Sequence, residues 1–200
     1  MATIFTPTPG AFTNLVPATA LASGTTLGTK QTLDLTGKVG AFLYARIGRN
    51  AATALTRSGY LAVRPTGKGT FNSTATAYDR ISSAGACAAT TVASGGAAAA
   101  TSVVLTSGTG FAAGDVVCLQ LAGARLEFGR VIDLTTNTLT VDQAFRTSHS
   151  AADVACNGSD VFDRLWLPGD EIYEVTPVNN SGQTLIFMAD YLPYASDQGV

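Results

Sequence analysis

From Thr32 onward, apolar and polar residues alternate with a period of two along most of the chain. This is the spacing of strands that bury one face. Leu33 and Leu35 alternate with Asp34 and Thr36, and Gly37 turns the chain. Residues 39–47 predict a second strand, with Phe42, Tyr44 and Arg46 in one phase and Leu43 in the other. Residues 60–64 predict a third, with Tyr60 out of phase with Leu61 and Val63. Gly48, Asn50 and Gly59 punctuate the connection, where a short helix over 51–57 is the alternative.

The first 30 residues differ. Pro7, Pro9 and Pro17 lie among Thr, Ala and Gly, and proline fixes φ and removes a donor, so an extended N-terminal arm over 1–30 is expected. Such an arm is stable only when laid on its own domain or on a neighbour. Residues 66–102 are rich in Thr, Ser, Ala and Gly, and 94–102 read as a loop, because four alanines do not repay helix nucleation. Strands are then expected over 102–106, 116–121, 126–132 and 139–141, with a hairpin turn at Thr136-Asn137. Residues 161–167, 171–176 and 183–189 predict three more, separated by turns at Pro168-Gly169 and at 179–182. Strands at this spacing point to an all-β sandwich or barrel. The expected organisation is a β-sandwich, jelly-roll-like, from 31–85 and 159–200. A small β-barrel or meander over 86–158 is inserted into it, and the arm precedes both.

Composition adds one constraint. Only 13% of residues are charged against 46% hydrophobic, where about a quarter is usual for charge. A surface of Thr, Ser, Asn and Gly is easier to desolvate than a charged one, which suits faces that end against neighbours. The formal charge is −2, yet 1–150 carry 11 Lys and Arg against 6 Asp and Glu, and 151–200 carry 1 against 8. Basic body and acidic tail are complementary, within one subunit or between subunits. Cys87, Cys118 and Cys156 have neither metal-ligand spacing nor an even disulfide framework, and read as reduced thiols or one bridge with a thiol left over. No signal peptide and no membrane-spanning run is evident.

Enzyme chemistry finds little support. The one histidine, His149, has Ser148, Ser150 and Asp153 nearby in sequence, which does not make a triad, and no nucleophile elbow occurs. Gly108, Gly110 and Gly114 miss the dinucleotide spacing and are followed by a strand, and residues 66–70 lack the rest of a phosphate loop. No catalytic residue, metal site or cofactor is assigned. Asp160, Asp163, Asp170, Glu171 and Glu174 read as an acidic patch facing solvent or a subunit. Arg46, Arg49, Arg57 and Arg64 with Lys30, Lys38 and Lys68 give a basic face. Arginine suits bidentate pairing with a protein partner, and this reading is preferred over nucleic acid. Sequons at Asn72 and Asn157 matter only in a secretory route.

Gly110-Phe-Ala-Ala-Gly-Asp-Val-Val, Arg125-Leu-Glu-Phe-Gly-Arg-Val and Asn137-Thr-Leu-Thr-Val-Asp together resemble a small β module of tailed-bacteriophage virion proteins. Leu167-Pro-Gly-Asp-Glu-Ile-Tyr-Glu-Val with Asn180-Ser-Gly-Gln resembles the closing strands of the sandwich found beside it. The likeness spans roughly 100–190 and carries no catalytic residues. It implies a particle-building protein, with a capsid decoration (cement) protein fitting size, low charge and arm. Such a protein is made in the host cytoplasm and sits on the capsid exterior. The implied partners are the major capsid protein and further copies of itself in a homotrimer, with no nucleic acid and no membrane. Candidate contacts are Phe5, Phe12, Arg46, Arg49 and Arg57. The alternative is a tail or baseplate component, or a carbohydrate-binding module in which Trp166 and Tyr173 stack on sugar. The apolar strand around Trp166 instead predicts a core position.

Overall fold

A computed structural model describes residues 8–49, 52, 55, 59–66, 76–81, 87–121, 125–157 and 160–195, with backbone alone for 76–81, 125 and 160–164. The predicted strands are present, and no helix occurs among the described residues. The alternative helix at 51–57 falls mostly outside them.

Two five-stranded sheets face each other. In the first, β16 (Leu185–Ala195) is flanked by β5 (Gly40–Arg49), which pairs in turn with β14 (Asp160–Pro168). The other edge of β16 takes both β1 (Thr8–Pro9) and β2 (Thr13–Leu21). In the second sheet, β15 (Ile172–Asn179) pairs with β6 (Gly59–Pro65), and β6 with β7 (Thr76–Ile81). The other edge of β15 takes β3 (Thr25–Thr26) and β4 (Gln31–Asp34). Every pairing in the two sheets is antiparallel.

The alternating residues of β5 decide how the sheets stack. Ala41, Leu43 and Ala45 point inward and meet Leu33, Leu35, Leu61, Val63, Tyr173 and Val175 from the second sheet, with Val16 and Ala189 beside them. Leu21, Ile47, Leu55, Leu185 and Phe187 extend the apolar filling toward one end. This is the architecture of a β-sandwich, whose inner faces interdigitate.

Residues 8–26, read from sequence as an arm, are strands of this sandwich, laid on β16 and β15 of their own chain. The register of β2 against β16 slips near Pro17 and again near Leu15. At the first slip the proline, with no N–H to donate, is tolerated. At the second, consecutive Leu15 and Val16 both become buried.

The six-stranded third sheet is built from residues between β7 and β14. Its order is β8 (Ala89–Thr91), β13 (Val154–Cys156), β10 (Val116–Leu121), β11 (Arg125–Thr135), β12 (Thr138–Val141) and β9 (Ser102–Val104). Its two edges meet: Val92 bridges Leu105, Ala93 N–H donates to the Val104 carbonyl at 2.8 Å, and Thr106 N–H to that of Thr91 at 2.8 Å. The sheet thus curls into a small barrel, which removes exposed edges. Val92, Val103, Leu105, Phe111, Val117, Leu119, Leu139 and Phe145 help fill it. Two residues of β11 advance against one of β12 after Val131, and at this bulge Ile132 is turned out to solvent.

Candidate functional site

The outward phase of β5 carries Phe42, Tyr44, Arg46 and Gly48. Their partners on β16 are Leu192, Asp190, Met188 and Ile186, with Tyr194 opposite Gly40. On β14, Trp166 stands opposite Phe42. The outer face of the first sheet therefore has two halves of different fate.

One half is covered by the barrel. Cys118 and Leu126 bury themselves against Ile186, with Ala18, Phe128 and Met188 around them. Gly48 makes this approach possible, since a Cβ there would lie 2.8 Å from the Cys118 Sγ.

The other half is open and aromatic. Phe12, just before β2, is 58% exposed and Trp166 is 40% exposed. Phe12 packs on Tyr44 at 5.2 Å between ring centroids. Phe42 meets Trp166 edge-on at 4.9 Å and Tyr194 at 5.8 Å. Trp166 and Tyr194 close the group at 5.8 Å. These are favourable tilted geometries, so the rings form a pre-ordered platform. The Trp166 ring lies directly over Gly40, where a Cβ would come within 2.3 Å of it. Trp166, expected in the core, is therefore half on the surface: it takes the outward phase of β14, while Leu167 takes the inward one.

Between the halves sits a polar seam. An Arg46 Nη lies 3.6 Å from an Asp190 carboxylate oxygen, both side chains largely covered. Asn14 Nδ2 donates to Asp190 Oδ1 at 2.9 Å. Burial lowers the Arg46 pKa from its ordinary value, opposed by the charge of Asp190. Arg46 also feels Glu127 and Arg146 of the barrel. Glu127 is itself held by the backbone N–H of Arg146 at 3.0 Å and of Thr147 at 2.7 Å.

The predicted contact residues are thus not equivalent. Phe12 is on the open platform. Arg46 is in the seam, paired within the chain. Arg49 is 2% exposed, so the expectation that it meets a neighbour is corrected: it lies inside, beside Cys87 and Cys156. Phe5 and Arg57 lie outside the described residues. Tyr173 is buried in the other sheet, its hydroxyl donating to the Pro168 carbonyl at 3.1 Å, so it shares no surface with Trp166. Lys30 meets Glu174 at 3.0 Å, which with Arg46–Asp190 makes two basic-to-acidic pairs inside one subunit.

Sequence reasoning missed Tyr194, Leu192 and Asp190. The period of two that identified 183–189 continues through Met188, Asp190, Leu192 and Tyr194 and could have found them. His149 is 4% exposed in the barrel, its ring against Gly96 and 5.6 Å from Phe145. Asp153, its sequence neighbour, instead accepts the Ser150 N–H at 2.7 Å. Gly110 and Gly114 adopt positive φ in the turn before β10, which accounts for their spacing without a nucleotide.

Fold and surface define an all-β sandwich carrying an inserted barrel and an open aromatic face. No family model and no curated protein matches the chain. Among solved structures, VP17, a capsid protein of bacteriophage P23-77, is similar with a TM-score of 0.21 and 8% identity, over 94% of this chain and 98% of that chain. Likeness at that level carries no argument about function.

Proposed function

We propose that the protein is a structural virion subunit that docks through the aromatic half of its first sheet, acting as a capsid decoration (cement) protein of a tailed bacteriophage. The observation that carries this reading is the contiguous cluster of Phe12, Phe42, Tyr44, Trp166 and Tyr194, of which Phe12 and Trp166 are exposed. Aromatic residues are enriched where protein interfaces anchor, and few charges need to be desolvated around them. The sequence resemblance to tailed-phage virion modules gives the setting. The major capsid protein is the partner for this face, and a homotrimer is the arrangement that lets three copies clamp neighbouring capsid subunits.

Two experiments test it. Light scattering of the purified chain reads its mass, expected to be that of a trimer. Co-sedimentation with expanded heads of the phage that encodes it reads docking, expected to saturate on the outer surface. A monomer that leaves heads undecorated overturns the reading.

One observation favours a second reading, a glycan-binding face. Trp166 is partly open beside Tyr194, and exposed rings stack on sugars. Trp166 is the chain's one tryptophan, so its fluorescence reports any sugar placed on it. Quenching by host-surface polysaccharide, with no binding to heads, would favour this alternative.

A further inference from the structure

The barrel leaves the sandwich just before β8 and rejoins it just after β13. Cys87 stands at the first junction and Cys156 at the second. Their sulfurs are 3.1 Å apart, and none of the three cysteines is in a disulfide. The neighbouring backbone is tightly held. Ala88 N–H donates to Asn157 Oδ1 at 2.7 Å, and Asn157 N–H returns a bond to the Ala88 carbonyl at 3.0 Å. Asn157 Nδ2 also donates to Asp115 Oδ2 at 2.7 Å and to the Gly110 carbonyl at 2.8 Å. The two sulfurs thus face each other across a rigid corner and need to approach by only about 1 Å to reach bonding distance.

We propose that Cys87 and Cys156 are an oxidisable pair whose disulfide staples the two ends of the barrel together when the protein meets a low-molecular-weight disulfide. Cys87 is half-buried and reachable, whereas Cys156 is fully buried. The Cys87 thiol is lowered to about 7, chiefly by a hydrogen bond from Cys156 and further by the Arg49 charge. The Cys156 thiol is pushed up, chiefly by the same hydrogen bond and by burial. The roles follow. The Cys87 thiolate attacks one sulfur of the small disulfide and expels one thiolate, leaving a mixed disulfide on Cys87. The Cys156 thiol then attacks the Cys87 sulfur, its proton leaving with the second small thiol. Two protein thiols are oxidised and one small disulfide is reduced to two thiols. Cys118, cross-strand partner of Cys156 on β10, is buried against Ile186 and takes no part.

The test uses the full chain with excess oxidised glutathione at neutral pH. Unreduced protein is then cleaved before aspartate, which separates Cys87 from Cys118 at Asp115 and isolates Cys156 between Asp153 and Asp160. The expected product is one linked peptide pair, Cys87 with Cys156, and an alkylatable Cys118. The melting temperature should rise by about 5–10 °C, because the closed loop is long. That rise should persist in Cys118→Ser and vanish in Cys87→Ser. Alkylation of Cys87 in the reduced protein should reach half its maximal rate near pH 7. Three intact thiols after equilibration, a bridge to Cys118, or linkage between chains would each overturn the proposal.

Discussion

Replacing Asn179 by alanine is expected to remove a fully buried polar side chain that makes four hydrogen bonds. Its side chain is fully buried at the end of β15, and its two amide hydrogens go to the carbonyls of Leu21 at 2.6 Å and Gln183 at 2.7 Å. Its Oδ1 accepts from the Ser181 N–H at 2.9 Å and the Ser181 hydroxyl at 2.7 Å. One side chain therefore ties β2, β15 and the turn into β16. Each bond contributes about 1 kcal/mol net, and a buried group left without a partner costs about 1–3 kcal/mol. In Asn179→Ala the Ser181 hydroxyl can turn its one hydrogen to the Gln183 carbonyl 2.9 Å away, while the Leu21 carbonyl and Ser181 N–H lose these partners. The expected destabilisation is about 3–5 kcal/mol, read as a fall in the urea midpoint at unchanged slope. Asn179→Asp adds a pH dependence. A carboxyl facing two buried carbonyls has a folded-state pKa above its unfolded value of about 3.9, so it folds best protonated. The variant's stability is therefore fully present below the unfolded pKa and is lost as pH rises through the folded one. A loss under about 1 kcal/mol for alanine, or a pH-independent aspartate variant, would show that Asn179 does not tie these strands together.

Three further outcomes are expected. Gly169→Ala should destabilise by at least about 2 kcal/mol in urea unfolding, because a Cβ would sit 1.7 Å from the Lys38 carbonyl oxygen, so that backbone would have to shift. Asp190→Leu should cost about 2 kcal/mol by removing the carboxylate that offsets the burial of Arg46, whereas Asp190→Leu with Arg46→Met should recover most of it; a double-mutant cycle with no coupling contradicts the seam. Gly40→Ala should displace the Trp166 ring and shift its fluorescence emission, since the added methyl meets the indole at 2.3 Å.

Legibility followed the chemistry of each segment. In β5 the alternation of Leu43 and Ala45 with Phe42, Tyr44 and Arg46 states both faces, and the folded strand keeps them. β15 is as clear, with Tyr173, Val175 and Pro177 all inward. The first 26 residues were less legible because two register slips break the period in β2, and Pro17 argues against pairing unless a slip excuses its missing N–H. β8 and β13 have three residues each and no alternation, and only the closing of the barrel makes them strands. β7 lies in a stretch rich in Thr, Ser, Ala and Gly for which no strand was expected, yet it pairs along β6. Phe12 was named for its residue type, and it lies exposed against Tyr44. Arg49 was misplaced because arginine suggests a surface, and nothing local announces the buried cysteines beside it. Trp166 was misread because apolar neighbours were taken as burial on both faces of β14.

If the protein docks through its aromatic face, Phe12→Asp should weaken docking. Phe12 is 58% exposed and lies outside the strands, so the variant should keep its circular dichroism and lose only about 1 kcal/mol of stability with its Tyr44 contact. Covering the exposed part of that ring removes about 110 Å² from water, which is about 2–3 kcal/mol of association energy. Co-sedimentation with expanded heads should accordingly weaken by about 30- to 150-fold relative to the natural sequence. A folded Phe12→Asp protein that decorates heads with undiminished affinity would contradict the account.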